Sequence, residues 1–249
     1  MLERLDIHTI EAILFDMNGT LRVRVPHPET QQAAFSRLSQ LLGNQNSDES
    51  FWEELTRRQK AYSCWAQQNL TQLSEVEIWT QWICPDVPRK QIEPAAAELM
   101  LAWGERKGRA IPKPGAGETI RTLKKRGYRL GVISNSTSTL DIPRSLELFG
   151  WEEYFEVVVL SSELKIRKPA PEPFLEAARR LDLLPARCAY LGNRIMKDIA
   201  GCQHAGFALG IALELDKSPH ADELDQAIKP DLTIHSLTGL LEIFPDRNG

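Results

Sequence analysis

Asp16 is the first residue with a chemical role to argue. It follows Ala12–Phe15, a short apolar run long enough for one buried strand, and Gly19 permits a tight turn just beyond it. In an open parallel sheet, ligands bind at the carboxyl ends of the strands. A carboxylate placed there can act as a nucleophile or hold a metal ion. Asn18-Gly19 is also an ordinary turn pair, so these residues alone leave both readings open. Three later stretches place further polar groups after apolar runs. Ser134-Asn135 closes Gly131-Val-Ile. Lys168 lies in Arg167-Lys-Pro-Ala-Pro-Glu-Pro-Phe174. Asn193 and Asp198 follow Cys188–Gly192. Each has a plain structural reading as well: serine ends many strands, a proline-rich loop can open a helix, and Asp198 suits the first turn of one.

The elements that must position these groups alternate. Strands are expected at Ala12–Phe15, Tyr128–Ser134, Phe155–Leu160, Cys188–Gly192, Phe207–Leu213 and Asp231–His235. Helices are expected at Glu118–Lys125, Asp141–Leu148, Glu172–Leu181, Lys197–Ala205 and Ser236–Phe244, with Gly127 ending the first of them. This alternation predicts an α/β fold, a doubly wound parallel sheet with right-handed crossovers. Residues 29–106 read instead as four successive helices, with capping boxes at Ser50–Glu53 and Ser74–Glu77. Proline-containing stretches at 22–28 and 108–115 read as linkers on either side. The expected division is a core of residues 1–24 and 113–249 with a small helical cap at 25–112. The cap holds five of the six tryptophans, which read as bundle core rather than a substrate pocket.

Composition removes several function classes. In 249 residues, 42% hydrophobic and 26% charged side chains fit a globular enzyme or binding protein. A net charge of −4 offers no basic surface for nucleic acid, and Lys124-Lys125-Arg126 reads as a solvated helix end. The four cysteines show no Cys-x-x-Cys spacing, which argues against a zinc site or disulfide framework. No apolar run reaches the ~20 residues of a membrane helix, and Met1–Asp6 lacks a signal-peptide pattern. A cytoplasmic location with no membrane partner is the expectation.

Taken together, the four stretches resemble the motifs of the haloacid dehalogenase-like (HAD) hydrolase superfamily, in order and at the ends of expected strands. Asp16-Met-Asn-Gly-Thr20 is similar to its Asp-x-Asp-Gly-Thr, Ser134 to its Ser/Thr, Lys168–Phe174 to its Lys-Pro-x-Pro-x-x-Phe, and Gly192-Asn193 with Asp198 to its Gly-Asp and following Asp. The resemblance implies a Rossmann-like core. It implies Asp16 as nucleophile, with Asn18, Ser134 and Lys168 as the other catalytic positions. Thr20, Ser134, Asn135 and Lys168 would bind substrate. Asp16, Asn18 through its backbone carbonyl, Asn193 and Asp198 through water would hold Mg²⁺. The chain departs from the family at two sites: Asn18 replaces the general acid/base Asp, and Asn193 replaces a metal-binding Asp.

The reaction implied is attack by Asp16 on a phosphoryl group of a small phosphorylated molecule. Without an acid at position 18, the rate should fall roughly 10²–10⁴-fold wherever the leaving group needs a proton. Weaker Mg²⁺ binding should follow from the charge lost at Asn193. Two alternatives stand beside this phosphatase-like reading. One is a metal-independent 2-haloacid dehalogenase-like hydrolase, since halide leaves unprotonated and Ser134-Asn135 suits that group. The other is a catalytically weak binding protein that retains the fold. Oligomeric state is not legible.

Overall fold

The computed structural model describes residues 7–43, 48–214 and 228–248. Strands in chain order are β1 (Ala12–Phe15), β2 (Arg22–Val25), β3 (Arg109–Pro112), β4 (Arg129–Ser134), β5 (Phe155–Leu160), β6 (Cys188–Gly192), β7 (Leu209–Leu213) and β8 (Leu232–Ile234). Six of them form one parallel sheet in the order β5-β4-β1-β6-β7-β8. β1 lies between β4 and β6, with Phe15 opposite Val132 on one side and Leu191 on the other. The chain winds outward from β1 in one direction, then crosses back to wind in the other. That reversal opens a crevice at the carboxyl end of β1. All four residues of β1 are fully buried, which is why the strand is apolar throughout rather than alternating.

The helices are α1 (Pro28–Leu42), α2 (Glu49–Gln68), α3 (Glu75–Glu77), α4 (Arg89–Ile92), α5 (Ala96–Glu105), α6 (Ala116–Lys125), α7 (Asp141–Leu148), α8 (Ser161–Leu164), α9 (Glu172–Arg180), α10 (Ala200–His204) and α11 (Leu240–Ile243). The expected helix at Lys197–Ala205 begins two residues earlier, as a π-helical turn over Ile195–Ile199 that runs into α10. Two apolar clusters cover the sheet faces. One contains Phe15, Ile120, Leu146 and Phe244, and the other Leu14, Phe174 and Tyr190.

A third apolar cluster joins α1, α2, α5 and the π-helical turn Ile78–Ile83 around Tyr62, Trp79 and Trp103. Trp79 and Trp103 are buried and meet edge to face, centroids 5.8 Å apart, while Trp52, Trp65 and Trp82 are half-buried against the same cluster. The tryptophans are thus mainly bundle core. The Ser74–Glu77 capping box is formed: Glu77 Oε2 accepts from Ser74 N at 2.8 Å, and Ser74 Oγ from Glu77 N at 3.2 Å. The box expected at Ser50–Glu53 is not. Asp48 caps α2 instead by accepting from Phe51 N at 3.0 Å, and Ser50 Oγ donates to Asp48. Asp and Ser cap about equally well, and the residue two positions upstream holds the cap.

The linker expectation at 22–28 and 108–115 needs a larger correction. Residues 22–25 and 109–112 pair as an antiparallel ribbon, Val25 opposite Arg109 and Arg22 opposite Pro112. The prolines read as breakers, Pro26 and Pro28, fall just after the strand and at the first turn of α1. Each strand finds its partner across the whole helical segment. That segment is also fastened to the sheet by its 70–75 stretch: Gln72 N donates to Lys165 O, and Thr139 N donates to Glu75 Oε1 at 2.8 Å.

Candidate active site

The crevice at the end of β1 is built around one ammonium. Lys168 Nζ lies 2.8 Å from Asp16 Oδ1 and 2.7 Å from Asp198 Oδ1, with Tyr190 Oη at 2.6 Å and Ile133 O at 2.9 Å. Asp16 follows β1, Ile133 and Tyr190 lie within β4 and β6, and Asp198 sits in the π-helical turn after β6. Adjacent strands of a parallel sheet end side by side, so residues distant in sequence converge here. Lys168, Asp198 and Asp16 are 3%, 2% and 7% exposed. Charges so enclosed persist only when paired and hydrogen-bonded.

Two glycines admit the neighbours. A Cβ on Gly192 would stand 2.5 Å or less from the Asp198 carboxylate, and one on Gly19, at φ +89°, would stand 2.6 Å from Asn193 Nδ2. Asn135 fixes the lysine from behind. Its carboxamide accepts from Lys168 N and donates to Lys168 O, both at 2.9 Å. The residue expected to bind substrate therefore spends its amide on positioning Lys168. Asp198 Oδ2 is committed in the same way, accepting from the Asn193 and Arg194 amides at 3.1 and 3.0 Å.

Burial raises the Asp16 carboxyl above its ordinary value of 3.8, against the pull of Lys168 and with a further push from Asp198. For Lys168, burial alone would lower the ammonium's pKa, but the two carboxylates outweigh it and the pKa is raised. Burial holds the Tyr190 hydroxyl well above its usual range, so it stays a neutral donor, aimed at Ile133 O at 2.9 Å.

Ser134 Oγ is buried beside this triad and has no hydrogen-bond partner among the described residues. An isolated buried hydroxyl costs free energy, and one at the mouth of a strand-end crevice suits an arriving anion's oxygen. Thr20 Oγ1 lies 3.5 Å from Asp16 Oδ2 and 3.3 Å from Asn193 Oδ1. These two hard oxygens meet at one hydroxyl. They fit a Mg²⁺ ion that keeps most of its waters. Asp198 has no free oxygen to offer, and no group of three or more His, Cys, Asp or Glu able to hold a metal occurs among the described residues.

Asn18 is exposed toward a cleft of about 230 Å³ between the helical segment and the sheet, and Asn135, Trp103 and Lys107 also line it. Its carboxamide oxygen accepts from Arg22 Nε at 3.0 Å. Arg22 is completely buried and forks onto Asp141, with Nη2 2.5 Å from Oδ2, and also donates to Ser145 Oγ. Arg24 Nη2 reaches the other Asp141 oxygen at 2.5 Å. One aspartate at the start of α7 thus holds both arginines of β2.

Sequence reasoning missed Tyr190, Arg22 and Asp141. Tyr190 reads as strand core. The alternation Arg22-Val-Arg-Val25 was the available signal for a two-faced strand.

A carboxylate at the end of the first strand, held by a lysine from a proline-spaced loop, is the arrangement the family's motifs imply. The haloacid dehalogenase-like hydrolase family matches residues 10–206, and the chain belongs to that family. It is 26% identical over 242 residues to a glyceraldehyde 3-phosphate phosphatase of Methanopyrus kandleri, covering 94% of this chain and 97% of that one. Among solved structures, a 2-haloacid dehalogenase from Pseudomonas syringae superposes with TM-score 0.62 at 23% identity, covering 94% of this chain and 97% of that one. CbbY from Rhodobacter sphaeroides, in complex with phosphate, superposes with TM-score 0.60 at 24% identity, covering 93% and 96%. These two likenesses establish the fold.

Proposed function

We propose that the protein hydrolyses small phosphate esters through an Asp16-phosphoryl intermediate. The observation that carries this reading is the Asp16–Lys168 pair beside the buried, unpartnered Ser134 hydroxyl. An Asp16 oxygen attacks phosphorus, the bond to the ester oxygen breaks, and the alcohol departs with a proton from water. Water then cleaves the acyl phosphate, which releases inorganic phosphate and returns the carboxylate. Lys168 balances charge on Asp16 and on the incoming phosphoryl group, and Ser134 donates to one of its oxygens. Asp16 and Asn193 would hold a Mg²⁺ ion, which supplies charge neutralisation at the phosphoryl oxygens. Asn18 has no proton to give at neutral pH, so esters with acidic leaving groups should turn over fastest. The relative named as a glyceraldehyde 3-phosphate phosphatase supports the substrate class. Residues 25–112 act as a cap over the site, with the β2–β3 ribbon as its attachment.

Asn18 also favours a second reading. Halide leaves without a proton, so attack by Asp16 on the carbon of a 2-haloacid needs nothing from position 18. The deciding experiment is a turnover screen of aryl and alkyl phosphates, acyl phosphates and 2-haloacids, with and without Mg²⁺. Phosphate release that requires Asp16 and rises with Mg²⁺ is expected. Halide release without metal, and no phosphate release, would replace the first reading with the second.

A further inference from the structure

We propose that Lys107 forms a subsite for a second anionic group on the substrate, so that the preferred molecule is a small phosphate ester carrying a carboxylate or a second phosphate at its far end. This rests on the phosphatase reading and specifies its substrate. Lys107 stands between α5 and β3, where the helical segment returns to the ribbon, and its backbone N donates to Gly104 O at 3.2 Å. It lines the same cleft as Asn18 and Asn135, the residues flanking the nucleophile and the orphan Ser134. A molecule whose phosphoryl group reaches Asp16 therefore presents its other end along the wall that Lys107 occupies.

The charges of that wall are unequal. Arg24 is spent on Asp141 and on Gly108 O. Asp141 is shared between Arg22 and Arg24. Lys107 has no carboxylate within ion-pair distance among the described residues, and Arg24 and Arg106 both bear on it as like charges. The side chain as a whole is exposed; partial desolvation and then these two arginines lower its pKa, with only Asp141 opposing. Trp103 lines the cleft too, is 3% exposed, and its indole N–H has no acceptor among the described residues. An exposed ammonium with no ion-pair partner among the described residues and a buried idle donor line one small cleft, and a ligand that brings oxygens with negative charge meets both. A neutral, hydroxyl-bearing tail would use the indole and leave the ammonium unmatched.

The ordinary role for a lysine just past a helix end is to favour the helix carbonyls. That role affects stability and leaves ligand selectivity alone, so the two are separable by binding. The probes are non-hydrolysable: 3-phosphonopropionate, propylphosphonate of matched length, and propane-1,3-bisphosphonate, each titrated calorimetrically into the wild-type protein and Lys107→Met. Wild type should bind 3-phosphonopropionate or the bisphosphonate about tenfold more tightly than propylphosphonate. Tighter binding of the bisphosphonate than of the carboxylate assigns a second phosphate, and the reverse assigns a carboxylate. Lys107→Met should erase the preference and leave propylphosphonate affinity and thermal midpoint unchanged. Equal affinities in wild type, or a preference that survives Lys107→Met, overturns the subsite. These titrations need no turnover. A protein that releases no phosphate yet shows the Lys107-dependent preference would refute the phosphatase chemistry while retaining the subsite.

Discussion

Arg22 Nε donates to the Asn18 carboxamide oxygen at 3.0 Å, so the residue standing where an acid would be is held from beneath by a fully buried guanidinium. Asn18 is therefore more than an acid with its proton deleted. With one lone pair of its oxygen held by Arg22, Asn18 keeps its NH₂ group for the cleft, and it can donate a hydrogen bond without releasing a proton.

This relationship sets the outcome of restoring the acid. A carboxylate at position 18 would meet Arg22 as an ion pair, and a nearby cation lowers a carboxyl's pKa and makes it a poor acid. Asn18→Asp alone should raise ethyl phosphate turnover less than about tenfold, short of the ~10² available to a well-matched general acid. Asn18→Asp combined with Arg22→Gln should rise further, because Asp141 keeps Arg24 as partner while the new carboxyl is released. Steady-state kinetics on ethyl and 4-nitrophenyl phosphate would decide it. A full hundredfold gain in the single variant would show that Arg22 does not restrain position 18.

Lys168 makes the second test, on stability. Replacing it with methionine leaves Asp16 and Asp198 buried with their shared cation gone. Removing one partner of a buried pair typically costs about 3–5 kcal/mol. The raised pKa of Lys168 also fixes the pH window. Its stabilisation is complete below the ordinary 10.5 and is lost as pH climbs through the higher folded value. Urea unfolding of wild type and Lys168→Met from pH 7 to 11 should show the gap narrowing only at the alkaline end. A gap that is constant with pH, or below about 1 kcal/mol at pH 7, would mean that the ion pairs contribute little.

The sheet and the carboxylate at the end of its first strand were legible because their signals are local. Around Asp16 an apolar run, a polar residue at its end and a turn glycine all lie within ten residues, and three further stretches follow in the order of the family's motifs. The ribbon was not legible because Arg22–Val25 finds its partner beyond the whole helical segment, and nearby prolines mimic a break. Arg22 falls within the stretch that reads as a linker. Only the fold brings Asp141 to it and makes complete burial tolerable. The motif points Asn135 at substrate, but which way a carboxamide spends its bonds depends on the loop packed against it. Tyr190 carried no signal, since a tyrosine inside an apolar strand reads as packing until its hydroxyl is seen on Lys168.

The acid limb of the rate profile tests the electrostatics of the triad. In the proposed reaction Asp16 must be ionised to attack. Burial raises its pKa above 3.8, Lys168 pulls it down, and Asp198 pushes it up. Activity should therefore fall, as pH drops, through a value above 3.8. Asp198→Asn removes the push and leaves Lys168 to act on Asp16 alone, and both changes favour the carboxylate. The substituted amide oxygen can still accept from the Asn193 and Arg194 N–H groups, so the turn after β6 keeps its anchor. The limb in kcat should thus move to lower pH in this variant, even though turnover at pH 7 declines. The substrate's own phosphate ionisation, near pH 6, overlaps the limb but is common to both proteins, so the difference between the two profiles belongs to Asp16. The measurement is kcat for 4-nitrophenyl phosphate from pH 4 to 8, with circular dichroism to confirm folding at each point. A limb that stays in place or moves upward would mean that Asp198 acts on the lysine alone and that Asp16 ionises independently of it.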